Sequence, residues 1–321
     1  MNVFVTGGCG YKGTVLVPKL LERGHKVQVL DAQWFGNFLP AHPNLTITKG
    51  DVRNIDSINL QGVDTIIHLS SVANDPCGDL DPKLTWEISA LATMQLADKA
   101  VRQNVTQFIF ASSGSVYGVK DEDQVTEDLE LKPISEYNKT KMVSERVLLS
   151  YQDDMIVQII RPATVCGISP RMRLDVAVNM LTMQALVNGK ITVFGGDQLR
   201  PNIHIKDMVD AYLALLSAPK ELVAGKIYNA GFENQPVRKL AQIVKGVIGK
   251  DVILETQSTD DNRSYHISSR KIKRELGFEP RYTIEDAVIG LRNAFEANKL
   301  PDSMEDEKYF NIRRMQSINL N

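Results

Sequence analysis

A doubly wound parallel α/β sheet with a smaller, mixed C-terminal part is the fold class predicted by three features of this 321-residue sequence. A short β-branched segment runs directly into a glycine-rich loop. Apolar segments of strand length alternate with helical stripes, and an aspartate closes the second strand.

The segment Asn2-Val-Phe-Val-Thr6 is apolar and followed at once by glycines, as suits a buried parallel strand. Residues 11–23 carry Val15, Leu16, Leu20 and Leu21 as one helical stripe ended by Gly24. Lys26–Asp31, Leu45–Lys49 and Asp64–Leu69 read as the next three strands, and residues 81–103 as one long helix. Gln107–Ser112 is the fifth strand, Glu136–Tyr151 a helix and Met155–Arg161 the sixth strand. Beyond Arg161 the alternation loosens, because Pro162, Gly167, Pro170, Gly189, Gly195, Gly196, Pro201 and Pro236 cut the chain into short pieces. Ile205–Leu216 and Lys226–Asn229 read as a helix and a strand returned to the main sheet. The expected division is 1–165 plus about 205–231 for the doubly wound, Rossmann-type domain, with 166–204 and 232–321 for the smaller one. Residues 299–321 mix charge with Tyr309, Phe310 and Ile312, a pattern open to a packed arm or a loose tail.

Composition sets the outer bounds. Hydrophobic residues are 43% and charged residues 24%, ample for a full core in one large domain or two unequal ones. Thirty-seven Lys and Arg against 39 Asp and Glu leave a formal charge of −2, which gives no general pull toward nucleic acid or anionic membrane. Apolar stretches such as Met155–Ile160 fall far short of the ~18 residues of a membrane span. With a strand already at Asn2, no secretory leader is expected. Cys9, Cys77 and Cys166 form no CxxC pair, so reduced thiols and a cytoplasmic setting are expected. The five histidines share no metal-ligand spacing with these cysteines, and no metal site is expected.

The loop Thr6-Gly7-Gly8-Cys9-Gly10-Tyr11-Lys12-Gly13 carries Gly7, Gly10 and Gly13 in GxxGxxG spacing between a strand and a helix. Glycines there permit a tight turn and a close approach of the backbone to a pyrophosphate, which the free N–H groups of the helix N-terminus then bind. Asp31 stands 18 residues beyond Gly13, near the ~20 expected for an acid that accepts the ribose hydroxyls. A carboxylate there repels a 2′-phosphate, and Ala32 and Gln33 supply no adjacent arginine, so the cofactor is expected to be NAD rather than NADP.

Tyr137-Asn-Lys-Thr-Lys141 places a phenol and an amine at i and i+4 on one helix face. The fifth strand runs into Ser112-Ser113-Gly114-Ser115-Val116-Tyr117-Gly118, which puts hydroxyls at a carboxyl strand end, where open α/β sheets bind ligands.

In these motifs, and in Gly50-Asp51-Val52, His68-Leu69-Ser70-Ser71, Arg200–Asp207, Tyr228–Gly231 and Lys271–Phe278, the chain resembles the extended short-chain dehydrogenase/reductase family, specifically its nucleotide-sugar epimerases and dehydratases. The resemblance implies that Ser113, Tyr137 and Lys141 are the catalytic set. Tyr137 takes the proton of a sugar hydroxyl, Ser113 hydrogen-bonds the reacting oxygen, and Lys141 holds the nicotinamide ribose and lowers the Tyr137 pKa. It implies that Gly7, Gly10, Tyr11, Lys12, Gly13, Asp31, Asp51, Val52, Leu69, Ser70 and Ser71 line the cofactor site, with Asp51 and Val52 at the adenine edge. Ser113, Thr164, Arg200 and Arg263 are implied on the side of a nucleotide-diphosphate sugar, with the arginines on its phosphates. A homodimer is also implied, paired through the helices near 81–103 and 136–151. Moving a Tyr from pKa ~10 to ~7 requires about 4 kcal/mol, so the site is expected to be sheltered from water.

Three readings follow. The first is an NAD-dependent epimerase acting at C4 through a transient keto-sugar. The second is a net dehydrogenase or reductase of a nucleotide-linked hexose or heptose, and the third a non-catalytic NAD-binding scaffold. Family dehydratases carry an acidic pair directly after the Ser113 position; Gly114 and Ser115 stand there in this chain, which disfavours dehydration. The chain departs from the family at Lys12, Ser89, Thr164, Cys166 and Ser258. His68, in an apolar strand, is expected to be a core residue, as are Cys9 and Cys166.

Overall fold

The structure, a computed structural model, describes residues 1–259 and 264–318. Its first part runs β1 (Asn2–Thr6), α1 (Gly13–Glu22), β2 (Lys26–Asp31), β3 (Leu45–Lys49), β4 (Thr65–His68), α2 (Asp75–Leu80), α3 (Pro82–Trp86), a π turn (Glu87–Leu91), α4 (Ala92–Arg102), β5 (Gln107–Ala111), α5 (Glu136–Leu149) and β6 (Ile156–Pro162). There follow β7 (Thr164–Cys166), α6 (Ala177–Asn188), β8 (Lys190–Phe194), β9 (Leu199–His204), α7 (Ile205–Ser217), α8 (Lys220–Val223) and β10 (Lys226–Ala230). The chain closes with β11 (Glu233–Pro236), α9 (Val237–Ile248), β12 (Ile253–Gln257), α10 (Arg270–Leu276), α11 (Ile284–Glu296) and α12 (Asn311–Ser317).

Seven strands form one parallel sheet in the order β10-β6-β5-β4-β1-β2-β3. Val3, Val5, Ile66, Ile67, Phe108, Ile109, Ile159 and Ile160 are buried, because helices cover both faces of the sheet. That double cover explains why these strands read as unbroken apolar runs rather than alternating ones. Each such side chain removed from water contributes about 1.5–3 kcal/mol. Strand order reverses on either side of β1, and the crevice at the carboxyl ends of β1 and β4 is where a doubly wound sheet binds its ligand. Beside the main sheet stand a mixed sheet, β11-β9-β7, and a parallel pair, β12-β8.

Two elements differ from the sequence reading. The single helix expected over 81–103 is broken by the π turn at Glu87–Leu91, where the Ser89 carbonyl accepts hydroxyl bonds from both Thr93 (2.8 Å) and Ser144 (2.6 Å). Ahead of it lies α2, capped by Asn74, whose side chain accepts from Cys77 N–H at 2.9 Å. Residues of the C-terminal segment pack as an arm, with Tyr309, Phe310 and Met315 buried and Arg314 Nε donating to the Trp34 carbonyl at 2.7 Å.

One polar contact fastens α5 to the sheet. Glu145 and Arg161, on α5 and β6, are both about fully buried and meet as a fork, Nε to Oε1 at 2.9 Å and Nη2 to Oε2 at 2.6 Å. Ser112 Oγ donates to the same carboxylate, while Arg161 Nη1 donates to Tyr117 Oη at 2.7 Å. Removing one member strands a buried charge. Glu145→Ala should therefore lower unfolding stability by about 3–5 kcal/mol, read from urea denaturation; a loss below 1 kcal/mol would show that the pair is not a fastening.

Candidate active site

A cavity of about 580 Å³ opens along the carboxyl ends of β1, β2, β4 and β5. The first strand delivers Gly7 with φ +71°, and a Cβ there would lie 2.7 Å from the Ser70 amide nitrogen. At Gly13 a Cβ would meet the Gly8 carbonyl oxygen at 2.4 Å, so the loop closes onto the helix only with glycine. Gly10, Tyr11, Lys12 and Gly13 bring the N-terminus of α1 to the cavity. Asp31 accepts the Cys9 N–H at 2.9 Å through Oδ2 and the Gln33 N–H at 2.7 Å through Oδ1. Burial pushes its carboxyl up, opposed by these two N–H groups and by the Arg171 charge. A glycine cradle at a helix N-terminus with a carboxylate at the second strand end fits a dinucleotide, the phosphates at the helix and the ribose hydroxyls at Asp31.

The remaining residues singled out from the sequence also line this cavity: Val52, Leu69, Ser70 and Ser71 along one wall, with Ser113, Tyr137, Lys141, Thr164 and Arg200 toward the other end. Arg263 lies outside the described residues. Asp51 lines the cavity but is engaged by Arg53, whose Nη2 stands 2.8 Å from Oδ2 and whose Nη1 reaches Glu87 at 3.1 Å. His68 is a core residue as expected, bonded to Thr6 at 2.6 Å and Thr93 at 2.9 Å, and burial pushes it down to about 3. Cys9, Cys77 and Cys166 are buried free thiols, all pushed up mainly by burial, Cys9 to about 12, which suits packing rather than nucleophilic attack.

The electrostatics of the catalytic candidates are those of a buried site. Tyr137 is raised to about 12 by burial, partly offset by a hydrogen bond with Ser113, and Asp75 raises it further while Arg173 lowers it. Lys141 does not reach the phenol oxygen. Its ammonium donates to the Ala111 carbonyl at 2.8 Å and lies 5.9 Å from the centre of the Tyr137 ring. A buried amine needs an acceptor, and the carbonyl at the end of β5 supplies it. Burial, then the neighbouring Lys12, pushes Lys141 down to about 7, with Glu145 opposing.

Three residues that sequence reasoning passed over share the cavity: Arg171, Arg173 and Asp175, from the segment between β7 and α6. Arg173 Nε donates to Asp175 Oδ1 at 2.6 Å, and its charge bears on Tyr137. The signal was the run Arg-Met-Arg-Leu-Asp, two arginines and an aspartate in a loop. Lys12 is also deeply placed, pushed down to about 8 by burial and then by Arg173, with Nζ 3.4 Å from Tyr212 Oη. Among the described residues no group of three or more His, Cys, Asp or Glu is placed to hold a metal ion, and no helix is long and apolar enough to cross a membrane.

Comparison with known proteins bears on the family and the fold. The model of the NAD dependent epimerase/dehydratase family matches residues 3–231. A UDP-glucose 4-epimerase of Lactobacillus helveticus is 25% identical over 316 residues, covering 90% of this chain and 95% of its own length. An uncharacterized UDP-glucose epimerase of Bacillus subtilis is 29% identical over 312 residues, covering 90% and 96%. The crystal structure of UDP-glucose 4-epimerase from Thermotoga maritima with UDP-glucose superposes with a TM-score of 0.84 at 24% identity, over 93% of this chain and 100% of that one.

The lowered amines have a consequence for stability. Between about pH 7 and the ordinary lysine range the folded chain has released protons from Lys141 and Lys12 that the unfolded chain still holds. Where the unfolded state binds more protons, stability rises with pH. The urea midpoint should therefore gain a component on going from pH 7 to pH 9 that Lys141→Met diminishes; an identical rise in both proteins would contradict the burial of this amine.

Proposed function

The chain belongs to the NAD-dependent epimerase/dehydratase family, and from that premise we propose that it is a nucleotide-sugar epimerase acting at C4 through a transient keto-sugar. The observation that carries this reading is the convergence of Ser113, Tyr137 and Lys141 on the cavity that the glycine loop and Asp31 also line. Bound NAD supplies a hydride acceptor and, on return, a hydride donor. Tyr137 takes the proton of the reacting hydroxyl and later gives it back. Ser113, whose hydroxyl holds the phenol pKa down, bonds the reacting oxygen. Lys141 anchors the nicotinamide ribose, and its charge favours the phenolate.

Gly114 and Ser115 support epimerisation over dehydration. Ser115 Oγ is bonded to Ser113 Oγ at 2.7 Å and to Asn138, so this loop offers hydroxyls and no carboxylate. The nearby carboxylates are engaged elsewhere: Asp175 by Arg173, and Asp75 by the Ser135 hydroxyl. Thr164 and Arg200 face the sugar nucleotide in this reading, and residues 166–204 with 232–321 form the substrate side.

The reading extends to a homodimer formed by α3, α4 and α5, where Leu91 and Met94 are 46% and 40% exposed. Sedimentation at micromolar concentration should give twice the chain mass, and a monomer there would remove the dimer.

The enzymatic test is a panel of UDP- and dTDP-hexoses, followed by absorbance at 340 nm together with separation of the sugar isomers. The C4 epimer should accumulate with no net rise at 340 nm. Tyr137→Phe should cut turnover by about 10³-fold or more while NAD stays bound. A permanent rise at 340 nm would replace this reading by net oxidation, and a fully active Tyr137→Phe would remove the proton-transfer role.

A further inference from the structure

Arg171 is a charged cavity residue for which the reaction proposed above has no use. Its side chain is 3% exposed, and its guanidinium carbon stands 3.7 Å from the centre of the Phe35 ring. Nη2 donates to Asn311 Oδ1 at 2.5 Å, whereas buried Nε has no hydrogen-bond partner among the described residues. Its main-chain N–H reaches Thr14 Oγ1 at 3.3 Å, which ties the residue to the first turn of α1. The residue is thus held to α1 by its main chain, while its guanidinium lies against Phe35, which follows Asp31, on the wall of the cavity.

Among the described residues no carboxylate is bonded to this cation, and Asp175 and Asp31 act on it only at a distance. Both Asp31 oxygens accept main-chain N–H groups. Asp175 is taken by Arg173 and by the Asn311 N–H at 2.9 Å. Arg173 itself adds a like charge, and burial with that neighbour pushes Arg171 down to about 9. A buried guanidinium with a donor left over is costly unless an anion completes it.

We propose that Arg171 is a second anchor for the dinucleotide, gripping a phosphate oxygen of its diphosphate on the adenosine side, and that Asn311 of the C-terminal arm is the positioning residue that aims it. The inference rests on the reading of this cavity as a dinucleotide site. Phosphate is the fitting ligand chemistry, because a guanidinium binds an oxyanion far more strongly than a neutral ribose hydroxyl, and Asp31 already offers acceptors to those hydroxyls. Asn311 lies outside the residues matched by the family model, so the arm adds a part to the site that the 3–231 segment lacks.

The test is calorimetric titration of NAD, ADP and adenosine into protein freed of nucleotide, with the wild type, Arg171→Met, Arg171→Lys and Asn311→Ala. Arg171→Met should weaken ADP and NAD by about tenfold or more and adenosine by less than about threefold, the scale of one charge-assisted bond to phosphate. Arg171→Lys should recover part of the loss, and Asn311→Ala should show a smaller loss with the same selectivity. Equal loss of all three ligands in Arg171→Met indicates a structural role and overturns the proposal, as does no loss. If Arg171→Met does not fold, an unchanged ratio of ADP to adenosine affinity in both other variants overturns it. A wild type that binds ADP but turns over no sugar refutes only the proposed reaction; one that binds neither ADP nor NAD refutes the dinucleotide site and this anchor with it.

Discussion

The buried pairing of Glu145 with Arg161 is the contact on which the site depends. It joins α5, the carrier of Tyr137 and Lys141, to β6, and through Ser112 and Tyr117 to the segment that carries Ser113. A hydrophobic contact at that point would hold the helix without fixing its rotation. A fork-to-fork ion pair fixes both its height and its azimuth. Tyr117 in turn donates to Asn229 Oδ1 at 2.8 Å, so the end of β10 joins the same network. These polar groups are satisfied by one another and by the main-chain carbonyls of Val125, Glu127 and Ser268, which is the condition under which charge can be held in a dry interior.

Above that fastening, the cavity concentrates cations. Lys12, Lys141, Arg171 and Arg173 line one space, and the first three are lowered from their ordinary values by burial and then by a neighbouring cation, Arg173 for both Lys12 and Arg171, and Lys12 for Lys141. Protein carboxylates answer this charge in part, through Asp175 at Arg173 and Asp31 near Arg171. A chain whose overall charge is −2 thus keeps a positive interior in one place. Such an interior suits the phosphates of a dinucleotide and a nucleotide-diphosphate sugar held together, and Lys12, an amine in the glycine loop, is part of it.

The parts legible in the sequence were those governed by local chemistry. Glycine spacing, Asp31 at a strand end and the i,i+4 pair of Tyr137 and Lys141 need only short-range geometry, and the alternation of apolar strands with helices fixed the sheet. The missed parts depend on chain segments far apart. Arg171 meets Asn311 across 140 residues, and no pattern around either residue announces the other. The π turn within 87–91 depends on hydroxyl bonds from Thr93 and from Ser144 on a different helix, which a periodicity cannot contain. The Lys141 amine was expected on the helix face of Tyr137, but where its ammonium rests depends on the carbonyl at Ala111, a main-chain group that sequence does not display.

The protein alone holds the Tyr137 phenol near 12, which is far too weak an acid for proton transfer at neutral pH. The central claim is that dinucleotide binding, with the charge of Lys141 and of the oxidised nicotinamide, brings this phenol into the physiological range. Ultraviolet difference spectroscopy at 295 nm, wild type minus Tyr137→Phe, measures it directly between pH 6 and pH 10 with and without NAD. The expected result is a phenolate band that rises between about pH 6 and 8 only with NAD present. The same flat trace with and without NAD would contradict it.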